Sequence, residues 1–394
     1  MKKMIFGLAA LLFSTTVMVA QSNTSNILQT GTSNTASVDQ DGLENDALTT
    51  QDGMSNNAET IQGSEAFASR NGVVVQSQTG NKNNAFAQHE EDRNEIYQVQ
   101  VGDGNSASAT QNLLNFGGDN YADQSQEGDR NTALISQEGN GFFGDGVGNV
   151  AFQIQVGEMN TATTGQNGED NFSGILQEGS DNVATMAQVG NENYAEQLQI
   201  GEANMAAGEQ WGTGNTLLQY QEGSGNMATS LQGSSIFDSR NGIVEQIQLG
   251  EENTAFAQHE EDNNEIYQVQ FGDGNNASAT QNLAFFGGDN VTMQGQLGSN
   301  NVAVASQEGD FGIFGEDNLV MQVQLGEGNM ATSSQNGAEN TSDILQDGIE
   351  NVASDTQFGI GNSTMVRQTG AMHNSTILQV GTNNAAVVNQ VGGL

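Results

Sequence analysis

The chain has 394 residues with 51 glycines, no proline and no cysteine, and its 8 Lys and Arg stand against 48 Asp and Glu for a formal charge of −40. No cysteine excludes disulfides, zinc–thiolate sites, thiol catalysis and a cysteine-linked lipid anchor, and so few cations leave little to neutralise the phosphates of a nucleic acid. A chain of this length ordinarily holds about 20 prolines, so the absence of proline is itself a structural constraint.

Residues 1–20 read as a signal peptide. Lys2 and Lys3 form its charged start, Ile5 to Phe13 its apolar stretch, and Ser14-Thr-Thr leads to a cut after Ala20. The apolar run is shorter than the roughly 20 residues a bilayer span needs, and no later segment is apolar enough to be transmembrane. Cleavage would remove two of the eight basic residues and take the formal charge from −40 to −42.

The remainder, residues 21–394, is one pattern repeated, which overrides the length-based expectation of two or three domains. Gln29-Thr-Gly31-Thr-Ser-Asn34-Thr-Ala36-Ser-Val-Asp-Gln40 gives the unit Q-x-G-x-x-N-x-A-x-x-x-Q. Its longest unbroken run goes from Gln155 to Gln232, and a second from Gln324 to Gln390. His89 and His259 stand at two of the Gln positions. Asn, Ala, a variable residue and Gln fall two apart, so they share one face of a strand. Gly then marks the turn, since it tolerates positive φ. Density in Gly and Asn, with no apolar stripe of period 3.6, excludes a helix.

Alternate strands differ. One set ends in Q-x-Q, as in Gln153-Ile-Gln155 and Gln197-Leu-Gln199, and the other in smaller residues, as in Ala109-Thr-Gln111. The true repeat is therefore a coil of 22 residues, strand-turn-strand-turn. Six steps between register positions are longer, at 62–78, 111–126, 137–155, 232–248, 281–296 and 307–324. All follow the same member of the strand pair, so a two-strand coil sends every insertion out of one edge. The pattern predicts an all-β fold, a β-solenoid of about fifteen coils stacked in parallel at ~4.8 Å. Such a rod is near 70 Å long, with amyloid-like cross-β stacking. Identical amides then form ladders, each satisfying the next. The predicted ladder residues include Asn34, Gln40, Asn160, Gln166, Asn171, Gln177, Asn182, Gln188, Asn193, Gln199, Asn204 and Gln210. Proline would delete a ladder hydrogen bond at any strand position, which accounts for its exclusion. A larger duplication, offset by about 170, relates residues 62–177 to 232–346. Ala85-Phe-Ala-Gln-His-Glu-Glu-Asp92 recurs at 255–262, and Asn94-Glu-Ile-Tyr-Gln-Val-Gln100 at 264–270.

This unit, paired into 22-residue coils over nearly all of residues 23–390, resembles the curlin repeat of the major curli fibre subunit. The resemblance implies a secreted functional amyloid, exported through an outer-membrane pore, nucleated by a companion subunit and assembled at the bacterial surface into biofilm fibres. The familiar subunit has about five such coils, and compact curlin repeats lack insertions of this kind.

The expected function is structural: a homopolymer built on open sheet edges. The pattern continues to Asn389-Gln-Val-Gly-Gly-Leu394 without a capping helix. Repulsion among the carboxylates predicts faster assembly with salt, divalent cations or acid. The alternative is a monomeric solenoid adhesin or binding module displaying loops along one edge. An ice-binding rod fits less well, because Thr is irregular. No catalytic, cofactor or metal site is expected. Acidic turns such as Gly102-Asp-Gly-Asn105 and Gly272-Asp-Gly-Asn275 do not match a calcium repeat. His89-Glu-Glu-Asp92 and His259-Glu-Glu-Asp262 read as substitutions before they read as metal ligands. No nucleophile elbow or paired-His motif is present. Phe142, Phe143, Phe285, Phe286, Phe311 and Phe314 lie in the insertions, where they either cover the coil edge or form a sticky patch.

Overall fold

A computed structural model describes residues 22–64, 68–112, 117–139, 146–282, 288–309 and 317–392. The signal-peptide expectation for residues 1–20 and the six loop phenylalanines fall outside these ranges. Among the described residues all regular structure is β. Two long parallel sheets run side by side, one of sixteen strands and one of fifteen on its main path. Successive strands alternate between the sheets, so each coil contributes one strand to each, and the whole is a β-solenoid.

The Q-x-Q strands make the first sheet. Val150–Glu158 pairs with Phe172–Ser180, which pairs with Tyr194–Glu202, always in parallel and with Gln opposite Gln: 155, 177 and 199. The second sheet is built the same way, Gln166 lying opposite Gln188 and Gln188 opposite Gln210. Burial alternates along the inner strands up to the repeat Gln, as in Thr161–Asn167, because period-two side chains point by turns inward and outward. The inward columns hold Asn, Ala, a variable residue and Gln. Ala162, Ala184, Ala206 and Ala228 are fully buried neighbours in one column, and their small size lets the sheets close on each other. Apolar filling comes from Ile135, Ile175 and Ile344 in the variable columns, and from Ile96, Leu217 and Ile266, which replace Ala in the first sheet.

The arcs between strands differ from the expected turn in one respect. The repeat Gly does not end the strand. It stays within it, still paired in register with the Gly of the next coil, as Gly179 is with Gly201. Its φ is strongly positive, +119° at Gly201, and a Cβ there would lie 2.0 Å from the Gly223 carbonyl oxygen. Both conformation and close approach therefore demand glycine. The chain reverses two residues later, at a left-handed position held by Met159 (φ 58°), Asp181 (56°) or Ala203 (56°). Elsewhere Gly214 and Gly225 take that place.

The insertions leave from one edge, as the spacing predicts, each following a strand of the second sheet. The described ends of four of them rejoin the stack as two-residue strands: Ser69–Arg70 pairs with Gly42–Leu43, Ser239–Arg240 with Gly212–Thr213, and Gly117–Gly118 with Gly146–Val147.

Candidate functional site

Inside the rod, the Asn and Gln of successive coils line up in four long columns. Gln177 Nε2 donates to Gln199 Oε1 at 2.8 Å, and Gln199 to Gln221 at 2.8 Å. In the second sheet Gln166 donates to Gln188 at 2.9 Å, Gln188 to Gln210 at 2.8 Å, and Gln210 to Gln232 at 2.8 Å. Each Gln uses its other N–H on a backbone carbonyl across the interior, Gln177 on Thr161 (3.0 Å) and Gln166 on Val150 (3.0 Å). Each amide thus reaches both sheets.

The Asn columns run the other way. Asn182 donates from both its backbone N and its Nδ2 to Asn160 Oδ1, each at 3.1 Å, while Nδ2 also reaches the Gly201 carbonyl at 2.9 Å. Asn204 treats Asn182 alike, and Asn193 treats Asn171 alike. Asn34 and Gln40 sit in the same columns near the N-terminal end, Asn34 accepting from the Asn56 backbone N at 3.0 Å and Gln40 donating to Gln62 at 2.7 Å. Both are more exposed than their inner counterparts.

Two features escape the sequence reading. The first Gln of Q-x-Q forms a fifth column. Gln197, Gln219, Gln246, Gln268, Gln294 and Gln322 donate each to the next at 2.7–2.9 Å. The column stops where Ile175 replaces Gln, and Gln197 Oε1, the next acceptor, is left without a partner. The Q-x-Q spelling carried this signal, since both glutamines share the inward face.

The second feature is a break at each histidine. His89 takes the Gln place opposite Gln62 and Gln111, and it is fully buried. Gln62 Nε2 lies 3.1 Å from its Nε2, and Ser69 Oγ lies 3.2 Å from its Nδ1. Gln62 can only donate, so Nε2 accepts and the proton sits on Nδ1, facing the Ser69 oxygen. Ser69 in turn donates to Asn45 Oδ1 at 3.0 Å. The ring occupies space that a side chain at residue 72 would need: a Cβ on Gly72 would meet His89 Cε1 at 2.1 Å. Gly72 accordingly stands where the ladder Asn is due, between Asn45 and Asn94. The same set recurs as Ser239, Gly242 and His259, with Asn215 in place of Asn45. Histidine has no amide to give the next coil, and Gln111 Oε1 and Gln281 Oε1 are both unpartnered. Burial holds both histidines down at about 3. His373, the third, stands at an Asn position near the C-terminal end and is accessible.

Asp355 is a buried carboxyl in the variable column. Thr364 donates to it, one oxygen has no partner, and burial raises its pKa above the ordinary carboxylate range. Among the described residues no three of His, Asp and Glu converge as a metal-binding set. The His89 ring is fully buried in the interior column, and Glu90 is buried and Glu91 and Asp92 half-buried in the segment that follows it. Turn carboxylates serve the arcs: Asp103 Oδ1 accepts from the Asn81 backbone N at 2.8 Å, and Asp129 Oδ1 from the Asp103 backbone N at 2.9 Å. No helix among the described residues is long and apolar enough to cross a membrane.

A parallel solenoid whose interior is stacked amides belongs to the class of cross-β structural proteins. The family model of the curlin associated repeat matches residues 157–190, so these residues carry that repeat, and the described chain on either side keeps the same coil register. No curated protein matches it. The curlin repeat and the β-solenoid are of a structural kind.

Proposed function

We propose that the chain is a secreted structural subunit that self-assembles end to end into curli-like extracellular amyloid fibres, serving biofilm matrix and surface adhesion. Residues 1–20 direct its export, and an outer-membrane pore and a nucleating subunit are its partners on the way to the surface. One observation carries this reading: both ends of the stack are open edges. Among the described residues, Thr24–Thr32 pairs only with Asp46–Met54, and Ala385–Gly392 only with Ser363–Ala371. Each edge offers unpaired backbone groups to a further strand. The amides offer more. Gln390 ends its column with Nε2 bonded only to the Asn374 carbonyl (2.9 Å), ready for the Oε1 of a further Gln.

The test follows full-length protein from denaturant at micromolar concentration by electron microscopy, with and without sheared seeds. Seeds that lengthen into unbranched fibrils, faster in 150 mM than in 10 mM salt, are the expected result. Short rods that ignore seeds for days overturn it. Those rods would instead favour a monomeric adhesin, the reading to which six insertions on a single edge lend support.

A further inference from the structure

The two outer faces of the rod are not alike, and the first sheet bears a patterned one. In six consecutive coils the residue just before the register Gln is apolar: Ile154, Leu176, Leu198, Tyr220, Ile247 and Val269, each in register with the next. At ~4.8 Å per coil this stripe is about 24 Å long. The matching positions of the second sheet hold Gly165, Ala187, Glu209 and Leu231, so no continuous apolar stripe forms there.

Carboxylates line both sides of the stripe. Two residues toward the C-terminus on each strand lies a column that alternates, Val156, Glu178, Ile200, Glu222, Leu249. Two residues toward the N-terminus lies another, with Glu196, Leu218 and Glu245 in turn. Glu196, Leu198, Leu218, Tyr220, Glu245 and Ile247 line a shallow cavity of about 230 Å³. The acids of each column recur every second coil, about 10 Å apart. Tyrosine hydroxyls donate to two of them, Tyr194 to Glu196 and Tyr220 to Glu222 (2.7 Å). The ion pairs among the described residues lie elsewhere. Arg367 is the single basic residue in the described strands of this sheet, and it is bound to Asp343.

We propose that this face is a docking surface for a cationic amphipathic helix. Charge complementarity selects that occupant. An apolar stripe with acids on both flanks is the counterpart of a helix whose apolar stripe is bordered by Lys or Arg. The dimensions agree: about 16 residues of helix span 24 Å, and basic residues seven apart recur every ~10.5 Å. A second copy of this chain does not fit, because it would set carboxylates against carboxylates with no cation between. The face runs parallel to the stacking axis, so it stays open in a single rod and in a fibre alike. The proposal therefore stands apart from the fibre reading.

The experiment titrates the full-length protein, kept as unseeded rods, into a fluorescein-labelled 16-residue Leu/Lys peptide patterned as an amphipathic helix. Fluorescence anisotropy reads the binding. Saturable binding is expected, weakened at least tenfold by E178Q/E196Q/E222Q/E245Q and at least tenfold by L176T/L198T. The substituted side chains point outward and touch no amide column, and circular dichroism of each variant checks that the rod is intact. Binding within twofold of wild type in the Gln variant overturns the proposal. So does equal affinity for a peptide of identical composition in non-amphipathic order, which would reduce the effect to bulk charge.

Discussion

Two positions two residues apart in chain order show how tightly a single residue is specified here. Gly201 holds φ at +119° with the Gly223 carbonyl oxygen where its Cβ would be, whereas Ala203 holds φ at 56° and carries a Cβ. The first place excludes every side chain by contact, whereas the second admits one at a conformational cost. A left-handed alanine costs roughly 1–2 kcal/mol, of which glycine's greater chain entropy takes back 0.5–1. G201A is therefore expected to destabilise the rod by about 3 kcal/mol or more, and A203G to stabilise it by up to about 1 kcal/mol, both read from denaturant midpoints. The Gly was legible in the sequence because it is nearly invariant within the repeat. The left-handed residue was not, since Met159, Asp181, Glu192 and Ala203 share no side-chain chemistry. It is fixed by backbone geometry, which leaves no compositional trace.

Among the elements, the amide columns turn local spacing into long-range order, and they also show where that order weakens. Period two put Asn, Ala and Gln on one face, and the 22-residue alternation placed the sheets. What the spacing did not disclose was how a histidine is accommodated. The answer needs residues 17 and 20 places earlier, Gly72 and Ser69 for His89, brought beside it only by the stacking. These two breaks make stability depend on pH. Each imidazole is held down at about 3 in the fold, against 6.5 for an exposed histidine. As pH falls below 6.5 the unfolded chain takes up protons that the folded chain refuses, so stability is lost progressively down to about pH 3. At pH 5 the loss is about 2 kcal/mol per histidine. H89Q/H259Q, which restores an amide to each column, is expected to remove about 4 kcal/mol of the difference in unfolding free energy between pH 7 and pH 5. An unchanged pH dependence in that variant would show that the histidines are not its source. This penalty also opposes the expected acceleration of assembly by acid, because most carboxylates stay charged until pH nears 4.

For the molecule as a whole, the same contacts that close one coil onto the next are the ones an incoming chain would have to make. The Gln columns point their donors toward the C-terminal end, so the rod is polar, and a second rod can continue the columns only head to tail. Net charge works against this at every coil, and the absence of proline works for it by leaving every strand position able to pair. The fold class and the exit of all insertions on one edge were legible from the repeat alone. The contrast between the two outer faces was not, because the outward positions vary from coil to coil and gain meaning only when stacked. The most direct measurement of the central claim is helical reconstruction of fibres grown from the full-length protein. Strands perpendicular to the fibre axis, a repeat of ~4.8 Å and an axial rise near 75 Å per chain are the expected result. Fibres whose chains stack side by side, with an axial rise unrelated to the length of one rod, would contradict end-to-end templating.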